Sequence, residues 1–446
     1  QAFGWSAALA FGVGAALVLA TRSDSHKVTR RSGYLVTVSA WLVVTAFGAL
    51  PLYLSTLHLS YTDAFFETMS GLTTTGSTVI VGLDQAPPGL LLWRSLLQWF
   101  GGVGIVVMAL AMLPVLRTGG MQLFLTESSD ISGKPFSRTR QIASLTILAY
   151  VTLSVACAIG YWLAGMNVFD AINHAMTTLA TGGYSTKDAS LAYYNSVPIE
   201  LVGILFMVAG ALPLIWYPRV ILQPGLRQRP EGRQIPAFLV VWVIAIALAT
   251  LWNFQTDGMS FLHALRVSSF NVTSVLTDTG FVTSDFASWG SFAIGLFFVL
   301  YLIGGCAGST AGGIKTFRWQ LIRSGITQHL KQMVQPQRAL TIRYGPEAVS
   351  EEAVHAVRNF FVLYLLTLLV LSLMVMATGI DFLSSTSAVA QAMANAGPGL
   401  GQLGGPAGNF AGFPSSAKWI ICAAMLLGRL ELSTVYVLLI PDYWLP

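Results

Sequence analysis

What this sequence has least of is charge. Only 10% of its 446 residues are Asp, Glu, Lys or Arg, against 54% hydrophobic, and the mean hydropathy is +0.67. Those proportions exclude a water-soluble chain of this length built around one core. Cysteine is almost as scarce. Cys157, Cys306 and Cys422 lie far apart in apolar segments, which excludes a disulfide framework and a cysteine metal site and leaves them as packing residues. The six histidines are scattered without a paired metal spacing, so His174 and His263 read as hydrogen-bonded structural residues. With no nucleophile–base or metal constellation in sight, the chain is not read as an enzyme.

What is present is a series of apolar windows about 20 residues long, the length that crosses a bilayer as a helix. They fall near 2–20, 35–57, 96–116, 142–164, 199–222, 236–255, 289–306, 359–378 and 417–440, giving nine expected spans. The first lacks a basic leader and a cleavage site, so it reads as a span and not a signal peptide. Because Gln1 and not Met stands first, a longer chain with helices upstream is expected.

Lys and Arg sort strongly by side. Of the 24, 19 fall in 21–32, 117–140, 219–233 and 315–358, while the alternate connections 58–93, 165–198, 256–288 and 379–416 hold only Lys187 and Arg266. The positive-inside rule therefore places the basic loops in the cytoplasm. The net charge of +5 needs no nucleic acid to explain it.

The outer connections repeat. Leu72–Gly76 (LTTTG), Leu179–Gly183 (LATGG), Leu276–Gly280 (LTDTG) and Met393–Gly397 (MANAG) each set a large apolar residue four positions before a glycine, and the glycines are 107, 97 and 117 residues apart. Four copies of one unit are implied. Before each runs a segment of about 12–15 residues, too short to span and therefore expected to be re-entrant. Asp63 and Asp170 stand where N-caps are expected. Non-helical backbone at membrane depth is tolerable only inside protein or along a watery path. The expected path is lined by Thr74, Thr75 and Gly76, by Thr181, Gly182 and Gly183, by Asp278, Thr279 and Gly280, and by Asn395, Ala396 and Gly397. Their carbonyls would replace an ion's hydration shell, and the negative C-terminal ends of the short helices favour a cation. The competing reading of these small residues is close helix packing.

Two more sites stand out. The string GGCAGSTAGGIK interrupts an apolar run with Gly304, Gly305, Gly308, Ser309, Thr310, Gly312, Gly313 and Lys315. It fails as a phosphate loop, because Ile314 takes the lysine position and no strand precedes it. It reads as a plug beneath the filter, or else as a packed helix kink. Arg429 lies within the last apolar run, where an unpaired charge is costly. It reads as a fixed positive charge limiting cation throughput. The alternative is a local pair with Glu431, which a two-residue helical offset disfavours.

Taken together, DAFFETMSGLTTTG, QWFGGVGIVVMALAMLP, GGMQLF, ATGGYST, GGCAGSTAGGIK, NAGPGLG and KWIICAAMLLGRLEL resemble the Trk/Ktr potassium-uptake family, in its TrkH-type pore-forming branch, over nearly the whole chain. The resemblance implies an all-α membrane protein with a pseudo-fourfold pore of four span–pore helix–span repeats, after an extra N-terminal helix. The division expected is 1–33 for the extra span and its loop, then repeats at 34–117, 118–234, 235–345 and 346–446. It further implies K+ as the transported ion at the filter, no covalent cofactor, an intramembrane gate at 304–315, homodimers, and a cytoplasmic TrkA-type regulatory ring that carries the nucleotide. The setting it implies is the plasma membrane, the bacterial inner membrane. Glycine in all four loops suits potassium; a serine in the first would point to sodium permeation.

Two features depart from the family pattern. Asp278 stands where a neutral residue, usually threonine, is expected, leaving open sensitivity to divalent cations or protons, or a side chain turned from the pore. The segment Gly210–Val220 (GALPLIWYPRV) is richer in proline and bulky residues than expected. The alternative function is an ion-coupled secondary transporter, but such folds show inverted repeats and midplane charges, and these four units share one orientation.

Overall fold

The computed structural model describes residues 1–21, 30–116, 135–222, 230–256, 258–337, 342–344 and 347–445. The basic residues Arg22, Lys27, Arg117, Lys134, Arg227, Arg229 and Arg338, the GGMQLF string at 119–124, and the repeat boundaries at 117/118 and 345/346 lie outside them.

Among the described residues the regular structure is helical apart from one two-residue antiparallel pair, Arg343–Tyr344 with Glu347–Ala348. Helix α1 (Ala2–Ala20) is apolar all round and buries only Ser6. Helix α2 (Arg30–Gly48) runs on into α3 (Leu50–Tyr53), where Pro51 sits in the first turn and loses no hydrogen bond. The first repeat then adds α4 (Tyr61–Leu72) and α5 (Pro88–Leu116). The second contains α6 (Pro135–Leu163), α7 (Val168–Leu179), α8 (Val197–Ala211) and α9 (Trp216–Leu222). The third contains α10 (Pro230–Thr256), α11 (Phe261–Leu276), α12 (Ser291–Tyr301) and α13 (Thr316–Val334). The fourth contains α14 (Glu351–Met376), α15 (Phe382–Ala394), α16 (Ser415–Arg429) and α17 (Ser433–Tyr436).

Polarity is inverted relative to a soluble protein. Outward-facing Phe11, Val243, Leu366 and Leu369 are exposed, whereas Thr74, His174, Asn271, Asp278, Gln391 and Asn395 are buried. That arrangement suits a hydrocarbon surround.

Among the described residues five helices are long and apolar enough to cross a membrane: Ala2–Ala20, Arg31–Tyr53, Gln141–Leu163, Arg233–Thr256 and Glu351–Met376. Helix α5, 29 residues long, covers the span expected at 96–116. The other three expected spans are not continuous. The one read at 199–222 stops at Ala211, because Leu212 precedes Pro213 and is driven to an extended ψ of 158°. The one at 289–306 shrinks to the 11 residues of α12, since the glycine-rich run begins at Gly304. The one at 417–440 bends by 107° between Ser415–Arg429 and Ser433–Leu439, with Glu431 left-handed at φ 56°.

The four short helices α4, α7, α11 and α15 are 12, 12, 16 and 13 residues long, so none can cross. Their caps correct the sequence expectation. Ser60, Asn167, Ser260 and Asp381 are the N-caps, and Asp63 and Asp170 sit three positions later. Ser60 Oγ accepts from Asp63 N and donates back to its carboxylate at 2.7 Å, so the aspartate serves the cap from inside the first turn.

Candidate ion pathway

Each short helix ends in the same way. The residue five positions after Ser70, Thr177, Ser274 and Gln391 donates its N–H back to that carbonyl: Thr75, Gly182, Thr279 and Ala396, at 2.8, 2.9, 2.8 and 2.9 Å. The preceding residues Thr74, Thr181, Asp278 and Asn395 are left-handed, with φ of 55°, 50°, 57° and 61°. The glycines follow at φ 86°, 74°, 87° and 93°. Four different tetrapeptides thus share one backbone, and only glycine takes its last position without strain.

The four loops meet. A β-carbon on Gly76 would fall 2.2 Å from the carbonyl oxygen of Gly182, one on Gly183 2.0 Å from that of Thr279, one on Gly280 2.4 Å from that of Ala396, and one on Gly397 3.1 Å from that of Thr75. The contacts run from the first loop to the second, third, fourth and back to the first, so they close a ring. All twelve residues named for the filter are therefore brought together. Gln98 braces the ring from behind, donating to Gly182 O at 2.6 Å and accepting from Tyr184 N at 3.0 Å. Ser77 ties the first loop to the fourth through Gly397 O at 2.8 Å.

Sequence reasoning missed one supporting cluster. Glu67, fully buried in α4, pairs with Arg94 at 2.8 Å and accepts from Val79 N at 2.8 Å, while Arg94 donates to Ser185 O at 2.9 Å and lies 4.0 Å over the Tyr184 ring. Tyr184 in turn donates to Glu67 O at 2.6 Å. The ion pair thus clamps the outer ends of the first two loops. Its signal was available: Glu67 is the single carboxylate beyond the first turn of any short helix.

Beneath the ring lies the loop joining α12 to α13. Cys306 N and Thr310 N donate to Ala211 O and Gly210 O at 3.0 and 3.2 Å, and Leu214 N donates to Gly308 O at 2.9 Å. The proline-rich break after α8 is therefore the loop's docking edge. Thr310 Oγ1 reaches Leu179 O at 2.9 Å, and Gly313 N reaches Ala394 O at 2.9 Å, so the loop also touches the ends of two pore helices. A β-carbon on Gly312 would fall 2.0 Å from Ala394 O. Gly304 N closes the loop on Ile314 O at 3.0 Å, and Lys315 Nζ donates to Ala311 O.

Arg429, at the end of α16, is buried and donates to Thr310 O at 2.9 Å and to Gly101 O at 3.4 Å. It holds the loop from the fourth repeat. The local pair with Glu431 does not form, because Glu431 meets Arg318 of α13 at 2.7 Å. His174 is structural, bonded to Asp170 O and Ser185 Oγ at 2.8 and 2.9 Å. Cys157, Cys306 and Cys422 are free and buried.

Short helices converging on a ringed axis, with broken spans and a loop beneath, define a polytopic α-helical membrane pore of four span–pore helix–span units. A family model described as "TrkH: Cation transport protein" matches residues 1–230 and 234–444. The chain belongs to the TrkH family. It is 41% identical to the Trk system potassium uptake protein TrkI of Halomonas elongata, over 98% of this chain and 90% of that one. It is 38% identical to the Trk system potassium uptake protein TrkH of Escherichia coli, over 100% and 92%. The crystal structure of the potassium transporter TrkH from Vibrio parahaemolyticus superposes with a TM-score of 0.90 at 38% identity, covering 99% of this chain and 92% of that one.

Proposed function

We propose that this chain is a potassium-selective, channel-like uptake subunit, a multi-pass protein of the bacterial inner membrane that moves K+ through the ring of four loops. The observation that carries the reading is the closed cycle of glycine–carbonyl approaches, which gathers one loop from each repeat at a single axis. Backbone carbonyls at such an axis supply oxygen ligands for a dehydrated cation. The repeats at 34–117, 118–234, 235–345 and 346–446 each contribute one short helix and one loop. The loop at 304–315 serves as the gate, resting on the break after α8 and on Arg429. Arg429 adds a fixed positive charge beneath the filter. A homodimer, and a cytoplasmic TrkA-type ring that binds the nucleotide and acts on the gate, complete the assembly. K+ is cargo, and the chain itself needs no covalent cofactor.

Purified protein in liposomes, assayed for rubidium flux against competing sodium, tests the reading. Rubidium flux well above sodium flux is expected. Equal flux of the two ions, or none, overturns it.

A further inference from the structure

The position two residues before each glycine is occupied by Thr74, Thr181, Asp278 and Asn395, and only the third carries charge. Thr181 Oγ1 bonds Ala180 O at 2.7 Å and Asn395 Nδ2 bonds Thr75 Oγ1 and Met425 O at 3.0 and 3.1 Å, while Thr74 Oγ1 is buried without a partner but carries no charge. Asp278 is wholly buried, and its carboxylate oxygens have no hydrogen-bond partner of ordinary geometry, the nearest backbone donors being the N–H groups of Gly305 and Gly312. An ionised carboxylate at membrane depth is costly, so the group is held there either by a proton or by a compensating cation.

The surroundings show where that cation belongs. The carboxylate faces the backbone of Gly305 and Gly312, and a β-carbon on Gly313 would fall 3.4 Å from Oδ2, so it points down from the filter toward the gate loop. The positive groups within electrostatic reach are Lys315 and Arg429. Both spend hydrogen bonds elsewhere, Lys315 on Ala311 O and Arg429 on Thr310 O and Gly101 O. When the carboxyl is ionised, these two cations balance it from a distance. A loop that carries its own ammonium, Lys315, lies against an anionic side chain on the floor of the filter.

We propose that Asp278 forms a cation site on the cytoplasmic side of the filter, covered by the gate loop and Lys315 in this structure, which takes a hydrated divalent cation in preference to K+. The inference rests on the pore reading above. Mg2+ keeps most of its waters and binds through one or two carboxylates, so it can sit at such a site without entering a ring built for a dehydrated ion. A double charge also doubles the attraction to Asp278 relative to K+. The pore would then be blocked by divalent cations from its cytoplasmic face, with Lys315 as the competing fixed charge.

Patches of giant liposomes, with Mg2+ applied to each face in turn, test it. The parent should be blocked from the cytoplasmic face. Asp278→Asn and Asp278→Thr should raise the half-blocking Mg2+ concentration roughly tenfold or more, as loss of a charge at close range does in a weakly polarisable site. Thr is the safer variant for folding, because Thr74 and Thr181 hold the same backbone conformation. Lys315→Gln should lower the half-blocking concentration, and only while Asp278 is intact. An unchanged half-blocking concentration in both Asp278 variants, with current preserved, overturns the site. So does block from the outer face alone. Absence of current in the parent counts against the pore reading instead.

Discussion

The glycine ring makes a graded prediction. At Gly76, Gly183 and Gly280 a β-carbon would stand 2.2, 2.0 and 2.4 Å from a neighbouring backbone oxygen, far inside contact, whereas at Gly397 the approach is 3.1 Å and a shift of a few tenths of an ångström relieves it. All four have positive φ, so any side chain costs about 1–2 kcal/mol from the backbone alone. At the first three, overpacking adds roughly 1–3 kcal/mol more, and the obstacle is backbone, which cannot rotate away. The strain is relieved by moving the carbonyls that set the ring's diameter. A differential of about 1.4 kcal/mol between two ions is a tenfold change in preference. Gly76→Ser should therefore lower the rubidium-over-sodium flux ratio about tenfold or more while the purified protein keeps its yield and elution volume. Gly183→Ala should do similar damage and Gly397→Ala the least. An unchanged ratio in folded Gly76→Ser removes this residue from the filter, and Gly397→Ala proving worse than Gly183→Ala refutes the ring geometry.

Deleting Gly308 to Gly312 removes the part of the loop that docks on Gly210 and Leu214, and should raise basal flux without any cytoplasmic partner; flux no higher than the parent's in a folded variant sinks the gate. Arg429→Ala should raise maximal flux with selectivity nearly unchanged, since a positive charge about 8 Å from a cation contributes roughly 2 kcal/mol at an effective dielectric of 20. Arg429→Lys should stay close to the parent because the charge survives. Reduced flux together with reduced yield in Arg429→Ala would assign the side chain to holding Thr310 O and not to the barrier.

The repeated loops were legible because they are written in spacing. Four glycines at a common offset from four short apolar segments exposed the repeat, and the left-handed residues before them follow from the same turn. Continuity of the spans was not legible, since composition windows do not register a break: Leu212 and Pro213 look apolar enough to continue a helix, and their consequence depends on the partner strand-like edge at Cys306 to Thr310. The N-caps lie three residues before Asp63 and Asp170 because Ser60 and Asn167 are equally good caps by residue type, and the cap side chain must precede the first helical turn. The pair of Arg429 with Glu431, disfavoured by their two-residue offset, does not form. Glu431 is near in sequence, but its left-handed backbone turns it toward Arg318, 113 residues away. The Glu67–Arg94 clamp joins α4 to α5 and the second loop, a contact between elements that no local pattern announces.

The hydrogen bonds that seat the loop between α12 and α13 are backbone bonds to other elements of the chain. Cys306, Thr310 and Gly313 give their N–H groups to Ala211, Gly210 and Ala394, and Leu214 gives its own to Gly308. Pulling the loop away in a dry environment would leave each of these groups bare, at about 1–3 kcal/mol apiece. Water, arriving in their place, removes most of that penalty. On the gate reading proposed above, displacement of the loop and flooding of the space below the ring are therefore one thermodynamic event, and whatever favours hydration of that space favours conduction.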